Sequence, residues 1–66
     1  MTNDERVYTA QAMKTYGGSF VQALGQCLYC CDSFNQARIE AAFPDYIKQY
    51  GPGSAFYQRV YEQERG

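Results

Sequence analysis

One stretch of this chain, from Ser19 to Asp32, limits the folds open to the rest. It holds all three cysteines and carries no Asp, Glu, Lys or Arg between Ser19 and Cys31. Ser19 and Gln22 have the spacing of a capping box, in which each side chain satisfies a backbone N–H at a helix start. A helix with so little charge is normally surrounded by other elements. We therefore predict a central buried helix here.

The apolar residues of this stretch recur at the three- and four-residue spacing of one helix face. The cysteines on that face are expected to behave as small buried hydrophobes, whereas Cys30 is expected to be accessible to solvent. The predicted stripe comprises Phe20, Leu24, Leu28 and Cys31, widened by Ala23 and Cys27.

The rest of the chain predicts further short helices separated by breaks. Thr2 and Glu5 form a second capping box, and Gly17 fits the left-handed position that often follows a helix. Ser33 and Gln36 repeat the capping spacing, although a single kinked helix running through Asp32 is an alternative. Besides the central helix, the predicted helices run from about Asn3 to Tyr16, Phe34 to Ala42, Pro44 to Tyr50, and Ala55 to Glu64.

The ends and faces of the later helices follow from individual residues. Pro44 ends one helix and begins the next, Gly51 closes that helix, and Ser54 caps the last one. We expect the third helix to bury Phe34, Ile39, Ala42 and Phe43 while exposing Arg38 and Glu40, and the last helix to bury Phe56 and Val60.

These patterns predict the fold class. No stretch alternates apolar and polar residues over five or more positions, so strands are not expected. The chain of 66 residues is one domain, 1–66, and a chain this short buries only about 60 % of the surface that its unfolded form exposes. We predict an all-α compact bundle of four to five short helices around the central helix.

The charges and residue types argue against several classes of function. Six basic and seven acidic side chains give a net charge of -1, and the basic residues form no cluster. Direct binding of DNA or RNA needs a basic stripe. The chain has no histidine, the commonest general base and metal ligand. We therefore expect no catalytic residues, no cofactor and no direct nucleic-acid contact.

The cysteine cluster Cys27-Leu28-Tyr29-Cys30-Cys31 predicts neither a metal site nor redox chemistry. A structural zinc site needs four ligands, usually two separated pairs, and this chain has no second pair. Reactive Cys-x-x-Cys motifs lie at helix N-termini, where the helix dipole lowers the thiol pKa. These thiols instead lie at the predicted C-terminal end of the helix, so we expect no bound metal.

The chain shows no segment that predicts secretion or a membrane span. No apolar region follows its polar start, as a secretory signal requires. The run from Phe20 to Cys31 is too short for a bilayer. We expect a cytoplasmic protein with no membrane partner and with reduced thiols.

Tyrosines supply the best candidate site. Seven of the 66 residues are Tyr, a residue enriched at protein interfaces because it combines a large contact area with a polar tip. Two pairs lie four residues apart, each beside a basic residue, which is typical of interface anchors. Glu62 and Glu64 form a solvated tail or an acidic patch for a basic partner. The predicted partner-binding residues are Tyr46, Tyr50, Tyr57, Tyr61, Lys48 and Arg59.

Two segments resemble a known class of protein. Tyr16-Gly17-Gly18-Ser19-Phe20-Val21-Gln22-Ala23-Leu24, and Ala41-Ala42-Phe43-Pro44-Asp45-Tyr46 with Tyr50, are similar to short uncharacterised proteins of bacteriophages and prophages. The similarity covers about residues 8–50 and leaves the last helix unmatched. Such small phage proteins include anti-CRISPR proteins and other inhibitors of host defence. The resemblance brings no catalytic motif with it.

Two functions follow as expectations. The first is a phage protein that binds a bacterial host protein or complex in the cytoplasm of the host cell, such as a defence system, and acts by steric occlusion. The alternative is a structural or accessory phage protein that self-associates and has no host target. The small core favours a homodimer in either case.

Overall fold

A computed structural model of the protein describes residues 1–65, with the backbone alone for the last of these. The described residues form five helices and no strand, which confirms the predicted all-α bundle. The helices are α1 (Asn3–Tyr16), α2 (Ser19–Cys30), α3 (Ser33–Ala42), α4 (Pro44–Tyr50) and α5 (Ala55–Arg65).

The start of α1 has the predicted capping box. The Glu5 backbone N–H donates to Thr2 Oγ1 at 3.1 Å, and the Thr2 N–H donates to Glu5 Oε1 at 2.8 Å. Asp4 and Glu5 also place carboxylates in the first turn, where they complement the helix dipole. The sequence therefore predicted this end of the fold correctly.

The α1–α2 junction differs from its prediction. Gly18, not Ser19, is the N-cap of α2, and no side chain caps it. The Gln22 amide instead donates back to the Gly17 carbonyl at 3.0 Å. Gly17 has φ −84°, so the left-handed prediction is wrong. Glycine is needed there because an added Cβ would collide with Val21 Cγ1.

Helices α2 and α3 are separate, so the alternative of one kinked helix is wrong. Cys31 and Asp32 both have extended backbones between them. The cap of α3 is Asp32 rather than Ser33, since the Asn35 N–H donates to Asp32 Oδ1 at 2.8 Å. A carboxylate in this position satisfies the open N–H groups of the first turn.

Both ends of α4 and the start of α5 are as predicted, and α5 runs one residue beyond the predicted Glu64. Pro44 occupies the first turn of α4, where its missing N–H costs no helical hydrogen bond. Gly51 closes α4, and Gly53, with φ 91°, turns the chain toward α5. The Tyr57 N–H donates to Ser54 Oγ at 3.1 Å and so caps the last helix.

The core lies chiefly between α1 and α2, and α1 also packs against α4 and α5. Met13 and Leu28 are fully buried, and Gly25 lets the two helices come close because it has no side chain. The buried hydrophobic residues are Ala10, Ala12, Met13, Val21, Leu24, Leu28, Tyr50 and Val60.

The buried face of α2 is rotated from the predicted stripe. Val21 and Gly25 join Leu24 and Leu28 on the face toward the core. Phe20 is 57 % exposed, so α2 is buried along one face and is not surrounded. The predicted stripe residues that lie exposed are Phe20, Ala23 and Cys27.

Helix α3 contributes no buried residue to the core. Phe34 is 70 % exposed and Ala42 is also exposed, although both were predicted to be buried. Ile39 and Phe43 are half-buried, and Arg38 is exposed as predicted. Glu40 was predicted to be exposed, but it is half-buried and lies 3.9 Å from the N-terminal amine.

Candidate functional site

The structure does not place the six predicted partner-binding residues on one surface. The four tyrosines among them fall into three separate groups of ring contacts. The residues in question are Tyr46, Tyr50, Tyr57, Tyr61, Lys48 and Arg59.

Tyr50 belongs to the core and is only 6 % exposed. Its ring stacks on Phe56 with 5.3 Å between centroids, and Phe56 stacks on Tyr16 at 4.9 Å. Tyr50 therefore anchors α4 to α5 and α1 and offers no surface to a partner. Its prediction as a partner-binding residue is corrected for that reason.

Tyr46 lies in a different group, on the side where α4 meets α2. Its ring is 6.0 Å from both Phe20 and Phe43, and it is half-buried. Phe20 and Phe43 also meet edge to face at 5.8 Å. The first turn of α2 thus contacts α4 through the rings of Phe20 and Tyr46.

Tyr57 and Tyr61 meet a third tyrosine that the sequence did not assign to the site. The ring of Tyr8 on α1 lies 5.9 Å from Tyr57 and 5.5 Å from Tyr61, both edge to face. Tyr57 and Tyr61 stack at 6.5 Å. All three are half-buried, so each ring gives part of its surface to solvent. We call Tyr8, Tyr57 and Tyr61 the tyrosine cluster.

Carboxylates border the tyrosine cluster. Burial raises the pKa of the Tyr57 hydroxyl, and the negative charges of Glu5 and Asp4 raise that pKa further. These two side chains come from the capped first turn of α1, one turn before Tyr8. The cluster is therefore an aromatic surface with a negative edge, built by the start of α1 and the exposed side of α5.

Of the two basic residues of the prediction, Arg59 contacts a different ring group. Arg59 is exposed, and its guanidinium lies over the ring of Tyr16, 6.0 Å from the centroid. Lys48 is exposed in the last turn of α4. Arg59 therefore neighbours the buried aromatic stack rather than the tyrosine cluster.

The three cysteines are free and lie along an open groove between α2 and α3. Cys27 and Cys30 are exposed, so the expectation that Cys27 is buried is wrong, whereas accessible Cys30 is confirmed. Cys31 is half-buried and donates to the Leu28 carbonyl at 3.1 Å. The groove has a volume of about 540 Å³ and is lined by Cys27, Cys30, Cys31, Asn35, Arg38, Ile39, Ala42 and Phe43.

The described residues show neither a metal cluster nor a membrane-spanning helix. Within residues 1–65, no three Cys, Asp or Glu side chains converge where they could hold a metal ion. None of the helices in that range combines the length and the apolar character that crossing a membrane requires. What the described surfaces offer is contact area, in the tyrosine cluster and in the α2–α3 groove.

No known protein family, curated protein or solved structure matches this chain. The tyrosine cluster is the strongest candidate, because it combines three aromatic rings with a defined charge at its edge.

Proposed function

We propose that this chain is a non-enzymatic protein of phage or prophage type that binds a bacterial protein complex in the host cytoplasm and blocks it by steric occlusion. The phage assignment rests on the resemblance of the segments around Gly17-Gly18 and Pro44. The binding surface is the tyrosine cluster, which replaces the six-residue surface predicted from the sequence.

The observation that carries this proposal is that the rings of Tyr8, Tyr57 and Tyr61 contact one another and remain partly exposed to solvent. Each of these rings is held by the other two, so little side-chain entropy is lost when a partner covers them. Aromatic residues held in this way are the usual anchors of protein interfaces. A small bundle with such a surface can bind tightly without a cleft.

The charge at the edge of the cluster indicates the kind of host surface that fits. Asp4 and Glu5 lie at the α1 side, and Glu62 is exposed on α5. A partner with Lys or Arg around an apolar patch complements these carboxylates, which accelerates association at low salt. Surfaces of host proteins that bind nucleic acid have this basic character. Covering such a surface would occlude the host complex without any direct contact between this chain and nucleic acid.

Affinity capture from a bacterial host lysate tests the proposal. Tagged wild-type protein should retain one host complex, identified by mass spectrometry, and Tyr61→Ala should weaken its binding by about tenfold or more. Tyr46→Ala is the matched control, because Tyr46 is also a half-buried tyrosine but lies in another ring group. Circular dichroism should show that both variants keep the helical fold.

Three results would contradict the proposal. The first is that wild-type protein retains no host complex. The second is that Tyr61→Ala binds as tightly as wild type, which would remove the tyrosine cluster from the interface. The third is that Tyr46→Ala loses the complex while Tyr61→Ala keeps it.

A further inference from the structure

A second surface of the molecule, formed by α3 and the α2–α3 groove, has no role in the proposed function. Helix α3 buries none of its residues, and Phe34 on it is the most exposed of the large hydrophobic side chains in the described part of the chain, at 70 %. The guanidinium of Arg38 lies over the Phe34 ring, 5.8 Å from its centroid. An exposed Phe that continues into an open apolar groove forms a contiguous apolar surface, the kind of surface that protein interfaces use.

The groove beside Phe34 is apolar and almost free of charge. Cys27, Cys30 and Cys31 line its α2 side, while Ile39 and Ala42 line its α3 side. Arg38 is the one charged residue among those that line it. Covering this surface therefore removes apolar area from water and leaves one cation that needs a carboxylate partner.

We propose that a second copy of this chain occupies the groove, in a two-fold dimer formed by antiparallel packing of α3 against α3. Such a dimer places the same surface on both subunits, so the surface must supply both a protruding side chain and a recess for it. Phe34 and the groove meet this condition. Arg38 lines the groove and also lies over the Phe34 ring, so the protruding ring is next to the recess. This inference is independent of the proposed function.

The charge pattern of α3 supports a second copy over other occupants. Asp32, Asn35 and Arg38 follow one another at three-residue spacing, and all three are exposed. When two such helices pack antiparallel with Asn35 opposite Asn35, residues three positions before and after it face each other. Each Arg38 then meets the Asp32 of the second copy, which supplies the carboxylate that the groove needs.

The size of the chain gives a further reason for this dimer. A chain of 66 residues leaves a large part of its apolar area exposed, and oligomerisation is one of the ways in which small domains compensate. Here the exposed area is concentrated on α2 and α3, where Phe20 and Phe34 are 57 % and 70 % exposed. This surface shares no residue with the tyrosine cluster.

Sedimentation velocity from micromolar to millimolar concentration, with a reducing agent present, tests the dimer. Wild type should dimerise, and Phe34→Glu should weaken the dimer by about tenfold or more, because it removes the protruding ring and puts a charged carboxylate where the apolar groove of the second copy would cover it. Tyr29→Glu is the matched control, since Tyr29 is 44 % exposed and lies beside Lys14 of α1, away from the groove. A wild type that stays monomeric at every concentration overturns the inference.

A charge substitution tests the orientation of the two helices. Arg38→Glu should weaken the dimer because it places like charges together, whereas Arg38→Lys should keep most of the affinity. Equal dimerisation by wild type and Arg38→Glu would overturn the antiparallel arrangement. Circular dichroism of Phe34→Glu and Arg38→Glu, both at exposed positions, checks that each variant is folded.

Thiol labelling of the wild type provides a test that needs no variant. N-ethylmaleimide should modify Cys27 and Cys30 more slowly as the protein concentration rises, because the second copy covers the groove. Mass spectrometry of the labelled peptides gives a rate for each cysteine. A dimer whose Cys27 and Cys30 react as fast as those of the monomer must use another surface, and that result would overturn the inference.

Discussion

The α1–α2 pair and α3 show two ways in which a short helix can belong to the same small domain. The first pair meets closely, with Met13 and Leu28 fully buried between the helices. Helix α3 contacts α2 and α4 but buries none of its own residues. The two regions have apolar residues in similar supply, so composition does not explain the difference.

Small residues explain it better. Gly25 of α2 faces Ala10 and Met13 of α1, and an added Cβ there would lie 2.9 Å from Met13 Cβ. Backbones that come this close gain many dispersion contacts per residue. Helix α3 offers no such site toward α2, and the space between them is the groove. One interface therefore carries stability, while the other leaves surface available for binding.

The sharpest test of this difference is a pair of truncations. Leu28→Ala should lower the free energy of unfolding by about 2–5 kcal/mol, because it leaves a cavity in the α1–α2 interface. Phe34→Ala should change that free energy by no more than about 0.5 kcal/mol when the protein is dilute enough to be monomeric. Urea unfolding followed by circular dichroism measures both values. Similar losses in the two variants would show that α3 is as well packed as α2.

A pair of glycine substitutions tests the close approach itself. In an open helical site, Gly→Ala stabilises a helix by about 1 kcal/mol. Gly25→Ala should instead destabilise the protein by about 1–3 kcal/mol, since its Cβ would meet Met13 Cβ at 2.9 Å and the Ala10 carbonyl oxygen at 3.0 Å. Thermal unfolding would show the loss as a lower Tm.

Gly18→Ala is the control for that substitution. Gly18 is the N-cap of the same helix, and nothing lies within 4 Å of a Cβ added to it. Its φ of −76° is open to any residue, so Gly18→Ala should cost only the difference between glycine and alanine as N-caps, about 0.5–1 kcal/mol. A gain in stability from Gly25→Ala would contradict the close approach of α1 and α2.

The sequence predicted best those features that depend on neighbouring residues. The Thr2–Glu5 box, Pro44 at the start of α4 and the Ser54 cap each involve hydrogen bonds or torsions within four residues, so local spacing was sufficient. The bounds of α1 and α4 were correct for the same reason. The cap of α3 is Asp32, one residue before the predicted Ser33.

Features that depend on distant residues were predicted less well. The stripe predicted on α2 counted apolar side chains, whereas the structure favours the side where Gly25 lets α1 approach, and Phe20 is left exposed. Likewise, the site prediction paired Tyr57 with Tyr61 by spacing, but nothing local indicated that Tyr8, far away in sequence, completes the cluster. The burial of Tyr50 depends on Phe56 in another helix.

The smallest expected effect concerns Cys31, at the junction of the two regions. Its thiol donates to the Leu28 carbonyl on the α2 side, and burial raises its pKa, while the charge of Arg6 lowers the pKa by a smaller amount. The side chain of Arg6 is held there because it donates to the carbonyls of Leu28 and Tyr29. The protonated thiol is thus favoured, and the reactive thiolate forms only at higher pH.

Alkylation of dilute protein across a pH series measures this pKa through the labelling rate of Cys31 alone. The rate should reach half its plateau at a pH above the ordinary value for a thiol. Arg6→Gln should move that midpoint to still higher pH, because it removes the cation that opposes the effect of burial. Cys31→Ser confirms which peptide carries the label. A labelling midpoint at lower pH in Arg6→Gln than in wild type would contradict this. It would mean that the end of α2 opens when Arg6 is lost, and that the Arg6 hydrogen bonds, not burial, keep the junction closed.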